Sequence, residues 1–318
     1  MNIKLHPYQL EFIFPFRIAH GIRTHTDALF VEIAHDGVTA FGEATFPPYL
    51  PYTVDDAVKS LSAIPMQTLI DDAGIIDPSV SLSSYQNIQA PALAALDMAL
   101  WTLKAKLEQT SIRSLLGIAN SSEPPRTYTI SVCDREEMAK RITAGKAQGY
   151  DLFKLKMNGK DDRQMLTDFR SLQNGPFAID ANQSWAELSQ TLDFAKELQS
   201  QDCILIEQPF VKTDLDNTLA LRNALSIPII ADESCQSYND IGRVSAAFSG
   251  INIKLQKCGG ISPAFKMIQH AQSLGLKILI GCMSESVIGC SAGEVLAPLC
   301  DWNDLDGAAL IKEVPFKN

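Results

Sequence analysis

Two lysines one residue apart stand in an otherwise apolar stretch, Phe153-Lys154-Leu155-Lys156-Met157. Side chains alternate across a β-strand, so residues two apart share a face. Because the apolar residues of this stretch must face a helical layer, both ammonium groups point the other way, into an interior lined by strands. A buried ammonium is unfavourable without compensating partners. The spacing therefore predicts functional lysines.

A third lysine follows the same rule. Alternation in Ile251–Gln256 places Asn252, Lys254 and Gln256 on the inner face of a strand. The interior of a β/α barrel is normally filled with Val, Ile and Leu, and active sites lie at the carboxyl ends of its strands. Lysines at two such strand ends indicate catalysis.

Three carboxylates stand between these lysines along the chain: Asp180 in AIDANQSW, Glu207 in LIEQPF and Asp232 in IADES. The steps from Lys156 through the three acids to Lys254 are 24, 27, 25 and 22 residues. No thiolate or imidazole accompanies them, so they predict an all-oxygen site for a hard divalent cation, with Mg²⁺ as the best candidate.

Steps of this size correspond to one strand and one helix, and eight such units close a barrel. No GxGxxG follows the first strand and no phosphate-binding GxxxxGK[ST] occurs, which disfavours an open nucleotide-binding sheet. The predicted strands are Tyr128–Val132, Leu152–Met157, Phe177–Ala181, Cys203–Glu207, Ile229–Asp232, Ile251–Gln256, Lys277–Gly281 and Gly307–Ile311.

The N-terminal part has a different pattern. Strands are predicted at 2–12, 28–34 and 38–43, with an Asp36-Gly37 hairpin turn before the last. Helices are predicted from a Thr53 cap through Leu61 and over 90–107. The SSEPPR stretch at 121–126 is the best candidate boundary.

Composition restricts the class of protein. The 318 residues carry a formal net charge of −10, with 46% hydrophobic and 20% charged residues. An acidic surface argues against nucleic-acid partners, and no apolar run reaches a membrane span. The N-terminus lacks the apolar stretch of a signal peptide, and seven cysteines without a CxxC pair favour free thiols. We expect a cytoplasmic globular protein of about two domains. The sequence leaves open whether the protein forms a homo-oligomer.

Strand position gives the lysines opposed directions. If the barrel begins at Tyr128–Val132, Lys154 and Lys156 lie on strand two and Lys254 on strand six, on opposite sides of an eight-stranded barrel. Such an arrangement suits removal of a proton from one face of a carbon and its return to the other. A bound metal would stabilise the enediolate, and neighbouring positive charges would lower each lysine's pKa.

These residues resemble those of the enolase superfamily, in its muconate-lactonising subgroup, and within it the dipeptide epimerases of the Ala-Glu type. The resemblance rests on the K-x-K motif, the three carboxylates and Lys254, in the family's order. It implies an α/β fold: an α+β capping domain (1–120), a modified (β/α)₇β TIM-type barrel (121–300), and a final barrel strand with a tail that returns to the cap (301–318).

The resemblance also implies roles for single residues. Lys156 and Lys254 would be the acid/base catalysts of a Mg²⁺-dependent dipeptide epimerase, and Lys154 would neutralise the substrate carboxylate and lower the pKa of Lys156. Asn182 would support the metal site, and Glu233 would support Lys254.

Substrate recognition is implied at other positions. Asp304 and Asp306 would bind the α-ammonium group of a dipeptide, and Thr129 would also contact the substrate. The arginine that closes the site of Ala-Glu epimerases falls at Gly21 in this chain, with Arg23 two residues on. Either Arg23 replaces it, or the second residue of the substrate is not Glu.

Two alternatives remain at this point. An o-succinylbenzoate synthase or an N-acylamino acid racemase on the same scaffold would use the same lysines and carboxylates, but neither substrate carries the ammonium group that Asp304 and Asp306 would bind. A barrel without catalysis, acting as a binding protein, is an alternative of another class, and intact lysines on both sides argue against it.

Overall fold

A three-stranded antiparallel sheet forms the first part of the computed structural model. Its strands are β1 (Asn2–Ile18), β2 (Gly21–His35) and β3 (Val38–Phe46), in that spatial order. Asp36 and Gly37 connect β2 to β3 at φ values of 48° and 78°, the left-handed conformations that a tight type I′ hairpin turn requires. The predicted hairpin is confirmed. The structure describes residues 1–18, 21–48, 50–69, 76–78, 82, 85, 87–119 and 122–318.

Two helices pack against this sheet. Helix α1 (Val54–Ser62) begins after Thr53, whose side chain accepts from the backbone N–H of Asp56. A 3₁₀ helix covers Met66–Leu69, and α2 (Ala90–Leu107) is buried along most of its length between the sheet and the rest of the molecule. Helix α2 lies so close to strand β3 that a Cβ atom at Gly42 would overlap the carbonyl group of Ala95. Glycine at this position permits the helix to lie against β3.

The remaining chain alternates between strands and helices. Its elements are, in order, α3 (Ile112–Leu115), β4 (Thr127–Ile130), α4 (Arg135–Ala147), β5 (Leu152–Lys156), α5 (Asp162–Leu172), β6 (Phe177–Asp180), α6 (Leu188–Ser200), β7 (Cys203–Glu207), α7 (Leu215–Ala224), β8 (Ile229–Ala231), a 3₁₀ helix (Tyr238–Asp240), α8 (Ile241–Val244), β9 (Gly250–Lys254), α9 (Leu255–Cys258), α10 (Ile261–Ser273), β10 (Lys277–Gly281), α11 (Val287–Glu294), a 3₁₀ helix (Ala297–Leu299), β11 (Trp302–Asp304) and α12 (Gly307–Leu310).

Strands β4 to β11 form one parallel sheet in sequence order, and it closes into a barrel. A parallel bridge between Arg126, just before β4, and Asn303 in β11 joins the two edges. Helical segments connect successive strands up to β11. The predicted α/β architecture, a cap and a (β/α)₇β barrel, is confirmed.

Alternation along the strands separates an outer from an inner layer. Phe153, Ile179 and Ile253 belong to the large apolar core between the strands and the helices. On the inner side, Ala178, Leu205, Ile230 and Leu279 pack together in a small apolar cluster. Three of these stand two residues before the acids Asp180, Glu207 and Asp232. The apolar layer therefore fills the barrel below the carboxyl ends of the strands, and the polar side chains lie above it.

Two predicted strands need correction. Strand β9 ends at Lys254, so Gln256 lies in helix α9 and not on the barrel interior. Its side chain reaches the cap, where it donates to the carbonyl of Glu43 and accepts from the N–H of Thr45. The eighth strand is Trp302–Asp304, whereas Gly307–Ile311 contributes helix α12. Alternation of apolar and polar residues over such short stretches does not distinguish a strand from a helical turn.

The C-terminal tail lies on the cap sheet. Ile311 forms an isolated bridge with Phe12, and the ring of Phe316 packs on Phe30 at 4.3 Å between centroids. The predicted boundary at residues 120 and 121 falls outside the described residues, and the three domain limits stay predictions. Among the helices that the structure describes, none combines the length and apolarity that crossing a membrane requires.

Candidate active site

A cavity of about 380 Å³ opens where the barrel strands end beneath the cap. The cap contributes Phe16 and Arg23 from the sheet and Leu50 and Tyr52 from the segment after β3. The barrel contributes charged side chains at or shortly after its strand ends, and these include Lys154, Lys156, Asp232, Glu233, Lys254, Lys257, Asp304 and Asp306. The site is therefore formed by both parts of the chain.

The three predicted metal carboxylates lie together. Asp180 and Glu207 are the last residues of β6 and β7, and Asp232 directly follows β8, so three adjacent strands present them at one level. One oxygen of each lies within 4.8 Å of the others, and all three side chains are buried. Their spacing is that of a cluster able to share one ion.

Each of these carboxylates is paired with a different lysine. The amine of Lys156 donates to Asp180 Oδ2 at 2.6 Å, and that of Lys254 donates to Asp232 Oδ2 at 2.7 Å. Lys154 donates to Glu207 Oε2 at 3.1 Å. The interior position predicted for the lysines from strand alternation agrees with these contacts.

Lys154 also forms an ion pair with Asp304, whose strand β11 lies two positions from β5 in the closed sheet. Burial opposes the charge on this amine, but Asp304 and Glu207 outweigh it and hold the pKa of Lys154 well above its usual value. Lys154 is therefore a fixed positive charge in the wall of the site. A surface position for this lysine is ruled out, because its side chain is 3% exposed.

The site contains more acidic side chains than lysines. Burial, and then the neighbouring Asp180, raise the pKa of Glu207 to about 7. Glu233 lies beside Asp232, and burial together with that neighbour raises its pKa to about 8, while its Oε2 is buried without a hydrogen bond. Such a concentration of negative charge is what a divalent cation would compensate. The oxygen-only donor set fits a hard ion such as Mg²⁺.

The backbone around the carboxylates is constrained. Asn182 donates to Asp180 twice, from its N–H at 2.8 Å and from Nδ2 at 3.1 Å. Asn182 and Gln183 have φ values of 44° and 64°, and Gln208, directly after Glu207, has 36°. Left-handed conformations at non-glycine residues are unfavourable and cluster at functional sites.

Asp304 and Asp306 are buried at the end of β11, not in a solvated turn. Asp306 Oδ2 accepts from the backbone N–H of Thr129 on neighbouring β4. Burial, and then Asp304, raise the pKa of Asp306 to about 7. Asp304 Oδ1 is buried without a hydrogen-bond partner. Both carboxyl groups line the cavity, together with Thr129.

Arg23 lies in strand β2, opposite Phe16, and not in a loop. Its guanidinium carbon is 5.6 Å from the ring centroid of Phe12 and 5.9 Å from that of Phe16. Such stacking on aromatic rings fixes the side chain where the cap faces the cavity.

Two important side chains were not found from the sequence. Lys257, in α9, donates to Asp232 Oδ1 at 2.6 Å, and its side chain is 4% exposed. Gln208 is fully buried, and its Oε1 accepts from the N–H groups of Asp232 and Ser234. Gln208 directly follows the strand-end acid Glu207, which was an available signal, and Lys257 stands three residues after Lys254, in helix α9.

The cap and the barrel meet in a second buried polar cluster. Glu43 of β3 accepts from the N–H of Ser286 at 2.7 Å and of Gly289 at 3.0 Å, at the start of α11. Burial and the neighbouring Glu285 raise the pKa of Glu43 to about 8. Glu285 accepts from the N–H of Met283 and from the side-chain amide of Gln256. This cluster ties the cap to the rim of the site.

A capped barrel in which lysines from opposed walls flank three carboxylates defines an acid/base enzyme built around a metal site. Family models agree: that of the mandelate racemase / muconate lactonizing enzyme N-terminal domain matches residues 3–117, and the enolase C-terminal domain-like model matches residues 137–299. The chain belongs to this family.

Similar proteins within the family catalyse isomerisation. The chain is 34% identical over 317 residues to the L-Ala-D/L-Glu epimerase of Bacteroides thetaiotaomicron, covering 100% of this chain and 82% of the relative. A dipeptide epimerase from Enterococcus faecalis, crystallised with Mg and L-Leu-L-Tyr, is 25% identical with a TM-score of 0.85, over 98% and 92% of the two chains. N-succinyl Arg/Lys racemase from Bacillus cereus is 26% identical with a TM-score of 0.86, over 98% and 88%. The predicted family and isomerase class are confirmed.

Proposed function

We propose that this protein is a dipeptide epimerase that inverts the α-carbon of the C-terminal residue of an Ala-Xaa-type dipeptide. The observation that carries the proposal is the position of Lys156 and Lys254, which end strands four apart in the barrel and both line one cavity. A carbon held between them is approached by an amine from each side. The epimerase names of the relatives support the same activity.

Asp180, Glu207 and Asp232 would hold Mg²⁺, as their spacing, burial and oxygen donors favour. A divalent ion held there would supply Lewis-acid stabilisation of the negative charge that develops on the substrate carboxylate. Asn182 holds Asp180 in place through two hydrogen bonds. Lys154, which is paired with Glu207 at 3.1 Å, would add a permanent positive charge beside the substrate carboxylate.

The two lysines carry the proton transfer. One amine removes the α-hydrogen from its side of the substrate, and the ammonium group opposite returns a proton to the other side. With the reverse substrate the roles exchange, so each lysine is the base for one epimer. The cap excludes water from the reacting carbon through Phe16, Leu50 and Tyr52.

The N-terminal end of the dipeptide is recognised by carboxylates. Asp304 and Asp306 lie at the cavity wall and present buried oxygens, which suit an α-ammonium group. Thr129 fixes Asp306 through its N–H. Arg23 faces the cavity from the cap, where it would meet the second side chain of the substrate.

An N-acylamino acid racemase is the second candidate, and the likeness to the N-succinyl Arg/Lys racemase favours it. Its substrate has an acyl group in place of the ammonium group, so Asp304 and Asp306 would face a neutral or negative partner. That electrostatic mismatch makes the dipeptide the better fit. We further propose that the enzyme is cytoplasmic and has no nucleic-acid or membrane partner. A homo-oligomer is compatible with this function.

The deciding experiment is a library of L,L-dipeptides incubated with the protein and Mg²⁺ in D₂O. Active substrates gain one mass unit at the α-carbon, and chiral chromatography shows the L,D product. N-succinyl amino acids, assayed in parallel, test the second candidate. Absence of exchange and inversion across a broad dipeptide panel would contradict the epimerase proposal.

A further inference from the structure

Lys257 is held by acceptors on every side. Its amine lies 2.6 Å from Asp232 Oδ1 and 2.9 Å from three backbone carbonyl oxygens, those of Asp232, Cys235 and Asn252, so four acceptors share its three N–H donors. The carbonyls belong to the end of β8, the segment after it and strand β9. Four acceptors around a 4% exposed ammonium leave it no alternative position.

Lys254 contacts the same carboxylate differently. Its amine donates to Asp232 Oδ2 at 2.7 Å, so the two oxygens of Asp232 are divided between two lysines. The Lys254 amine has to reach the substrate if it transfers a proton, and its hydrogen bond to Asp232 must then be exchanged. Lys257 has no such task, because backbone carbonyls hold it.

We propose that Lys257 is a positioning residue that fixes Asp232, so that this carboxylate keeps its place while Lys254 moves between Asp232 and the substrate. This inference rests on the proposed function. The effect of Lys257 falls on the Lys254 side of the site, because it contacts Asp232 and the backbone of Asp232, Cys235 and Asn252. On the opposite side, Lys156 is paired with Asp180, which has its own support from Asn182.

Two consequences follow for a variant without the Lys257 charge. Asp232 is less well oriented, so Mg²⁺ binding weakens by roughly 10- to 100-fold, the usual effect of removing a group that orients a metal ligand. Proton transfer by Lys254 also declines more than proton transfer by Lys156. A cation that acted only by its charge would have the opposite effect on the metal, because its removal would strengthen Mg²⁺ binding.

The test uses Lys257→Met and Lys257→Gln, with Lys140→Met as a matched control on an exposed lysine that pairs with Glu136. Lys257→Gln removes the charge but keeps an amide donor for the backbone carbonyls around Lys257. It therefore keeps the test usable if Lys257→Met does not fold. Calorimetric titration with Mg²⁺ measures affinity. Exchange of the α-hydrogen in D₂O is followed separately from each epimer of one dipeptide, and Lys156→Ala and Lys254→Ala assign each epimer to its base.

The expected result is weaker Mg²⁺ binding and a ratio of the two exchange rates shifted at least tenfold against the epimer that Lys254 deprotonates. A ratio does not depend on the fraction of folded protein, so simple destabilisation leaves it unchanged. Equal loss on both sides, or Mg²⁺ binding as tight as in the wild type or tighter, overturns the proposal. If the wild type exchanges no dipeptide, the proposed function fails, and the Mg²⁺ titration alone decides the role of Lys257.

Discussion

Lys156 and Lys254 end strands β5 and β9, four positions apart in the closed sheet, and each donates to a different carboxylate of the same cluster. Each amine therefore has a carboxylate partner of its own, and each lysine with its acid can serve as one proton-transfer unit. An enzyme that inverts a carbon needs such a division, because the leaving and the entering proton use opposite faces.

Replacement of either lysine should separate exchange from inversion. We expect Lys156→Ala and Lys254→Ala to lower epimerisation by roughly 100- to 10,000-fold, the usual effect of losing a general acid or base. Each variant should still exchange the α-hydrogen of one epimer with D₂O, because the remaining lysine serves that face. Mass spectrometry with chiral separation measures both, and retained exchange of both epimers in one variant would contradict the two-base mechanism.

The acid pair at β11 should determine substrate class. We expect Asp306→Asn and Asp304→Asn to lower kcat/KM for dipeptides by roughly 10- to 100-fold, because a charged hydrogen bond to the α-ammonium group is lost. The same variants should lower kcat/KM for N-succinyl amino acids by less, because these substrates have no α-ammonium group. Glu313→Gln, on an exposed acid that pairs with Lys317, is the control. A larger loss with N-succinyl substrates than with dipeptides would favour the racemase alternative.

The sequence was most informative where alternation and charge act together. An ammonium group among apolar strand residues has only one favourable side, and this placed Lys154, Lys156 and Lys254. The strand ends of a parallel barrel meet at one edge, and this brought together Asp180, Glu207 and Asp232. Family membership agrees with this reading. The order of cap and barrel followed from the change of pattern near residue 120.

Contacts between distant segments could not be predicted in this way. Gln256 was assigned to the barrel interior because alternation continues past the true end of β9, whereas it binds Glu43 and Thr45 of the cap. Lys257 was missed because helix α9 changes the periodicity at that point. Which side chain satisfies a buried polar group across two domains depends on tertiary packing, and a single sequence carries no pattern for it.

Metal binding should be measurable without substrate. We expect Mg²⁺ to raise the unfolding temperature of the wild type, because a ligand that binds only the folded state stabilises it. Asp232→Asn should require at least about tenfold more Mg²⁺ for the same rise in unfolding temperature, since a charged oxygen ligand is lost. Chelation with EDTA should abolish epimerisation and added Mg²⁺ should restore it. Full activity after exhaustive chelation would exclude the metal role proposed for the three carboxylates.

Asp97 should make the stability of the cap–barrel contact depend on pH. This side chain, in the middle of apolar α2, is fully buried and accepts from the N–H groups of Ile261 and Ser262 and from the Ser262 hydroxyl, at the start of α10. Burial raises its pKa from 3.8 to about 7. The folded state therefore binds a proton more tightly than the unfolded state, and the associated stability is present below about pH 4 and is lost as pH rises to about 7.

The comparison of wild type with Asp97→Asn isolates this contribution. Asn is neutral at every pH, can accept from the two N–H groups and can donate to the Ser262 oxygen, so the contact is kept without the titration. Urea unfolding between pH 4 and pH 8 should show the wild type losing roughly 4 kcal/mol relative to Asp97→Asn as pH rises. Asp97→Ala, which leaves the first N–H groups of α10 without an acceptor, should be less stable than Asn at every pH. Parallel stability curves for wild type and Asp97→Asn would show that this carboxyl group does not titrate on folding.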